Sequence, residues 1–186
     1  MFPKTEITRS FNAPRELVFK AFTESEHLQN WWGPKGWAFD ISKLELRQEG
    51  VFHYSQTSPD GNVMWVKFVY HEVNAPDKLV YTSFFSDEMG NIVRAPFNDN
   101  WPLETLNTFT FTEHEGKTIL TMIGAPVSPT EEEMKTYEES QEMVQEGFSG
   151  TFVQLADYLS NISYNKKQPQ TSLYIENSGV FKFRFI

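Results

Sequence analysis

The chain has 186 residues, no cysteine and a formal charge of −9; that length can bury a core unaided, and disulfides and thiolate metal sites are excluded. The charge repels phosphate backbones and anionic lipid, and no apolar run approaches the ~20 residues of a membrane span. With no signal-peptide apolar core in Met1-Phe2-Pro3-Lys4-Thr5-Glu6, a cytoplasmic protein without nucleic-acid or membrane partners is expected.

Thr5 to Phe11 reads as a strand. Asn12-Ala13-Pro14 opens a helix, with Asn12 or Ala13 as cap and Pro14 in the first turn. Leu17, Val18, Ala21 and Phe22 continue it at helical spacing. A second short helix starts at Ser25-Glu26, runs toward Trp31-Trp32 and stops at Gly33-Pro34-Lys35-Gly36. Phe39 and Ile41 alternate, then Leu44 and Leu46 in the opposite phase, so a β-bulge is expected at Ser42-Lys43.

Val51 to Thr57 and Val63 to Val73 form a hairpin. A three-residue loop Asp60-Gly61-Asn62 pairs Pro59 with Val63, which sets Tyr54 opposite Phe68, Phe52 opposite Tyr70 and Gln56 opposite Val66. One face then carries Phe52, Tyr54, Met64, Val66, Phe68, Tyr70 and Glu72. The other carries His53 and His71 as diagonal neighbours. A four-residue loop Asn74-Ala75-Pro76-Asp77 pairs Val73 with Lys78 and adds Leu79, Tyr81, Ser83 and Phe85 to the aromatic face. Residues 86–103 read as an irregular insertion. Thr105 to Glu113 and Lys117 to Ala125 form a hairpin around His114-Glu115-Gly116, with Phe109, Phe111, Ile119 and Ile123 on one face.

Thr130 and Glu133 form a capping box. The helix it starts runs to about Ser160, with an apolar stripe through Val144, Phe148, Phe152, Leu155 and Leu159. Gly147 and Gly150 each cost that helix about 1 kcal/mol relative to Ala, so at least one is expected to face the sheet or Trp31-Trp32, where a side chain would clash. Lys166-Lys167-Gln168-Pro169-Gln170 reads as a linker. The body is residues 1–164, and residues 165–186 are a basic, aromatic tail. The tail carries +3, which leaves −12 on the body. Leu173 to Ile175 and Val180 to Ile186 read as a hairpin with Phe181, Phe183 and Phe185 on one face. Such a hairpin should either be disordered or, the favoured outcome, dock on a sheet edge or on the acidic face bearing Glu138, Glu142 and Glu146. Docking on a second copy would make a homodimer.

A strand, two short helices, six strands and a long C-terminal helix opposite an aromatic sheet face make the plan of the α+β helix-grip fold, a curved antiparallel sheet wrapped around that helix. Phe11-Asn12-Ala13-Pro14-Arg15-Glu16-Leu17-Val18-Phe19 resembles the opening motif of the SRPBCC (START-like) superfamily. Trp31-Trp32-Gly33-Pro34, Leu44 through Phe52, Pro59-Asp60-Gly61, Glu72 through Thr82, Thr105 through Phe111 and Gly147-Phe148 through Tyr158-Leu159 resemble its branch of activator of heat-shock protein 90 ATPase homologues. The likeness spans about residues 5 to 160. Where Glu49-Gly50 stand, that family often has two glycines. The insertion and the tail are outside its pattern.

The resemblance implies a hydrophobic cavity between sheet and helix, with lipids, sterols, polyketides or hormones as ligands of many members. The residues agree: tyrosines within an apolar face need hydroxyl partners, which a cavity with a few convergent polar groups supplies. The expected ligand-binding residues are Trp32, Phe52, Tyr54, Val66, Phe68, Tyr70, Tyr81, Phe109, Phe111, Phe148 and Phe152, around a small hydrophobic or lipid-like molecule. The plain alternative is that these rings only pack on one another. Trp31-Trp32 form either a plug or a gate. No cofactor, metal or catalytic residue is expected: Glu72 has no partner for acid–base work, and two histidines without a third ligand make a poor metal site. The rival functions are a co-chaperone-type regulator of a heat-shock protein 90 homologue, implied by the family name, and a cyclase- or hydrolase-like enzyme acting inside the cavity.

Overall fold

Seven strands hydrogen-bond into one curved antiparallel sheet in the computed structural model, which describes residues 4–167, 171–175 and 181–185, with side chains up to residue 163. They are β1 (Thr5–Phe11), β2 (Ala38–Leu44), β3 (Val51–Thr57), β4 (Val63–Asn74), β5 (Lys78–Ser86), β6 (Thr105–His114) and β7 (Lys117–Pro126), in the order β1-β7-β6-β5-β4-β3-β2. Helices α1 (Arg15–Thr23) and α2 (Ser25–Leu28) follow β1, and α3 (Glu131–Glu139) and α4 (Gln141–Lys167) follow β7. The α+β helix-grip expectation holds. The bulge in β2 lies between Ile41 and Lys43, where the apolar phase slips.

Turn chemistry moves the other registers. In the β3–β4 hairpin the three loop residues are Pro59-Asp60-Gly61. Ser58 N–H donates to Asn62 O (2.9 Å), Gly61 N–H to Ser58 O (2.9 Å), and Gly61 takes φ +85°. Proline's fixed φ suits the first turn position, and glycine supplies the left-handed one. Phe52 therefore faces Phe68, Tyr54 faces Val66 and Gln56 faces Met64. The slip from the expected register is even, so each side chain keeps its face.

In the β6–β7 hairpin the slip is odd. His114 pairs Lys117 across Glu115 (φ +52°) and Gly116 (φ +73°), a two-residue turn whose twist matches the strands. Leu120 and Met122, not Ile119 and Ile123, therefore join Phe111 and Phe109 on the buried face. Between β4 and β5, Asn74 pairs Lys78, so Val73 does not. A bulge at His71 then restores Tyr70 opposite Tyr81. His53 pairs Lys67 and bonds Ser86 Oγ (3.1 Å), while His71 bonds Thr82 Oγ1 (2.6 Å), so the two histidines are not neighbours.

Pro14 is itself the cap residue of α1, one or two places later than the expected cap at Ala13 or Asn12. The capping box of Thr130 and Glu133 is present. The helix it starts breaks at Ser140, giving α3 and α4 in place of one continuous helix. Glu133 accepts from both the Thr130 amide and the Arg94 guanidinium; the Arg94 bond is the larger reason its carboxyl lies below the usual range.

Gly147 and Gly150 do not avoid a clash, because a Cβ at either would meet open space. Gly150 is exposed within α4, so only its helix propensity counts. Gly150→Ala is expected to raise stability by about 0.5–1 kcal/mol. A lower denaturation midpoint for that variant would contradict this.

The tail strands β8 (Thr171–Ile175) and β9 (Phe181–Phe185) pair antiparallel in a separate sheet, with Leu173 opposite Phe183. The expected docking of this hairpin and its side-chain faces lie outside the described residues.

Candidate functional site

The space between the sheet and α4 divides in two. One half is filled from the side. Helices α1 and α2 insert Val18, Phe19, Phe22 and Leu28 between the sheet and the second half of α4, and Trp31 closes the packing. Phe22 sits at the centre: its ring lies 4.8 Å from Trp31, 5.4 Å from Phe109 and 5.3 Å from Phe111. Trp31 donates its indole N–H to Ala21 O (3.0 Å), which satisfies its one polar group.

Among the described residues, no helix inserts into the other half, beside the first turns of α4. There a cavity of about 470 Å³ opens, within the usual range for small-molecule sites. Tyr54, Val66, Phe68 and Tyr81 form its sheet wall, and Val144, Gly147 and Phe148 form its helix wall. Trp32 and Gly33 stand at one side. A Cβ at Gly33 would come 2.4 Å from Gln56 Nε2, and Gln154 donates to Gly33 O (2.8 Å), which ties this turn to α4. Gly33 also needs φ +98°, so glycine is required there.

The insertion builds the mouth. Phe97, Trp101, Pro102 and Leu103 line it opposite Met143 of α4, and Phe97, Leu103 and Met143 are exposed. Phe97 packs edge-on against both Phe85 (5.4 Å) and Trp101 (5.7 Å). Trp101 reaches Tyr137 of α3 (5.7 Å), and Arg94 pairs with Glu133 beside it. The segment is thus latched to α3.

Of the residues expected at the site, Trp32, Tyr54, Val66, Phe68, Tyr81 and Phe148 line the cavity. Phe109, Phe111 and Phe152 do not; they belong to the packed half with α1. Phe52 and Tyr70 border only a water-sized void shared with Phe22 and Leu28. The sequence places all these rings on one face; helices α1 and α2 decide which of them are covered. Sequence reasoning missed Phe97, Trp101, Leu103, Tyr137 and Met143. For Phe97, Trp101 and Leu103 the available signal was the apolar and aromatic content of a segment otherwise reading as loop.

The polar groups at the wall are uncharged. Among the described residues, no Asp, Glu, Lys, Arg or His lines the cavity. Glu72 is half-exposed and paired with Lys78 (2.8 Å), away from it. Ser83 donates to Thr105 O (3.3 Å) and accepts from Asn107 (3.0 Å). Tyr137 donates to Gly124 O (3.0 Å). Burial pushes the Tyr54 and Tyr81 hydroxyls well above the ordinary phenol range, partly offset for Tyr54 by the neighbouring Trp32 indole. Both are neutral donors at physiological pH, not bases. This set suits recognition of a polar group on an apolar body; it lacks a nucleophile–base pair. No helix of the described residues is long and apolar enough to cross a membrane.

The family model described as "Activator of Hsp90 ATPase homolog 1-like protein" matches residues 12–160. The chain belongs to that family. No curated protein matches it. Among solved structures, a protein from Arthrobacter aurescens is 26% identical with a TM-score of 0.72, over 85% of this chain and 86% of that one. One from Mycobacterium smegmatis is 26% identical with a TM-score of 0.68, over 84% and 90%. The AHSA1 protein from Silicibacter pomeroyi, 18% identical with a TM-score of 0.66 over 86% and 99%, shares the fold. The match to the activator-homologue family takes in the insertion and stops short of the tail.

Proposed function

We propose that this activator-homologue family member binds a small hydrophobic or lipid-like molecule in the cavity between the sheet and α4. The supporting observation is the cavity itself: about 470 Å³, walled by aromatic and aliphatic side chains and carrying a few uncharged polar groups. A ligand hiding ~300 Å² of apolar area gains about 7 kcal/mol gross at 25 cal/mol per Å², before ordering costs. Micromolar affinity is reachable without a charged anchor.

The test is titration with the neutral fluorescent probe N-phenyl-1-naphthylamine. Binding at about one site per chain is expected. Val144→Trp puts a large ring into the cavity from the helix wall, where Val144 is only half-buried. That variant should bind the probe at least about tenfold more weakly, or about 1.4 kcal/mol, and unfold at an unchanged midpoint. Unaltered probe affinity would place the site elsewhere, and no probe binding at all would defeat the reading. The family description supports a second reading, regulation of a heat-shock protein 90 homologue. Stimulation of the chaperone's ATPase by the Val144→Trp variant as well as the wild type would favour it.

A further inference from the structure

We propose that the ligand is electrically neutral and carries a hydrogen-bond acceptor, of the ketone, ester or alcohol class, to which the Tyr81 hydroxyl donates; this rests on the cavity reading above. Two observations carry it. The first is the absence of charge: among the described residues no cationic side chain lines the cavity. An ionised carboxylate would lose its water there without gaining a counter-charge, which is strongly unfavourable. Lipid-like molecules include both acids and neutral compounds, and this wall separates the two.

The second is a spare donor held in a fixed direction. Tyr81 is 5% exposed and lines the cavity. Its ring is clamped by near-parallel stacking on Phe68 (4.2 Å, 16°) and Phe109 (5.7 Å, 16°), so its direction is fixed. Ser83, Asn107 and Tyr137 spend their donors on neighbouring protein oxygens. No described residue accepts the Tyr81 proton, nor does Tyr81 number among the fully enclosed groups left unpaired. Its hydroxyl therefore meets the cavity space. A buried hydroxyl ordinarily has a partner, and an acceptor on the ligand supplies it. The Gln56 carboxamide, also buried on this wall, is likewise uncharged.

The experiment displaces N-phenyl-1-naphthylamine at pH 8 with methyl decyl ketone or with dodecanoate, which have equal chain length. Each is corrected for its own partition into neutral detergent micelles. After that correction the ketone should displace the probe at a concentration at least tenfold lower. Tyr81→Phe keeps the ring stack and removes only the hydroxyl. It should weaken the ketone about fivefold relative to any change in the probe's own affinity, and preserve the denaturation midpoint. Equal displacement by dodecanoate would overturn the neutral-ligand assignment. An unweakened ketone in Tyr81→Phe would overturn the anchor. Failure of the probe to bind wild-type protein would instead remove the cavity reading on which both depend. Tyr54, a second phenol on this wall, is the comparison: Tyr54→Phe should cost the ketone less than Tyr81→Phe, and an equal or larger loss would also overturn the anchor.

Discussion

Gly50→Ala is expected to destabilise the protein by about 3 kcal/mol, the largest effect of any single methyl group added here. A Cβ at Gly50 would lie 2.1 Å from Glu45 O and 2.8 Å from Arg47 O. Both are backbone atoms, and neither can rotate away. They are held by the turn that carries β2 into β3: Gly50 N–H donates to Arg47 O (2.9 Å) and Glu45 N–H to Val51 O (2.9 Å). The same turn grips β4, since Glu49 donates to Tyr70 O (2.8 Å) and Tyr70 donates to Gly50 O (3.0 Å). Relieving the clash therefore means opening hydrogen bonds on two strands. Glu49 beside it holds φ +60°, a conformation that favours glycine. The double glycine frequent in the family at this place has a backbone reason, and Glu49→Gly should be tolerated to within about 1 kcal/mol. Urea denaturation of both variants separates the cases. A Gly50→Ala midpoint matching that of wild type would show the turn to be soft.

The sequence made local features legible and left the tertiary ones open. The Thr130–Glu133 capping box and the bulge after Ile41 were readable because each is written within a few residues. The bulge at His71 was not, because Val69 and Val73 make β4 apolar on both faces and the phase slip is hidden. Hairpin registers depended on choosing which residues form the turn. Misplacing Pro59-Asp60-Gly61 by one residue cost nothing in facing, while misreading Glu115-Gly116 turned Ile119 and Ile123 inward on paper. The aromatic face was legible as a face. Its division into a packed half and an open half was not, because that depends on where α1 and α2 insert. The mouth lay in the insertion, which has no periodicity to read.

That division makes a second large prediction. Phe22→Ala and Phe148→Ala remove the same atoms from opposite halves. Phe22 is 5% exposed and touches the rings of Trp31, Trp32, Phe109, Phe111 and Phe152. Its loss leaves a hole that fixed neighbours on the sheet, α1 and α4 cannot fill, and should cost about 4 kcal/mol. Edge-to-face contacts add to that cost beyond the buried area. Phe148 is half-buried, packs against Phe152 at 5.9 Å, and already borders the cavity. Truncating it enlarges a space that exists, so only the transfer of one partly wetted ring is lost, about 1–2 kcal/mol. The probe should respond in the reverse order: Phe148→Ala changes its affinity directly, while Phe22→Ala acts only through Trp32, whose ring rests on Phe22 at 6.2 Å. Equal stability losses in the two variants would mean that the cavity closes in solution and both rings stand in one continuous core. A Phe22→Ala chain too unstable to purify beside a well-folded Phe148→Ala chain would agree with the division, because the filled half packs α1 and α2 against the sheet.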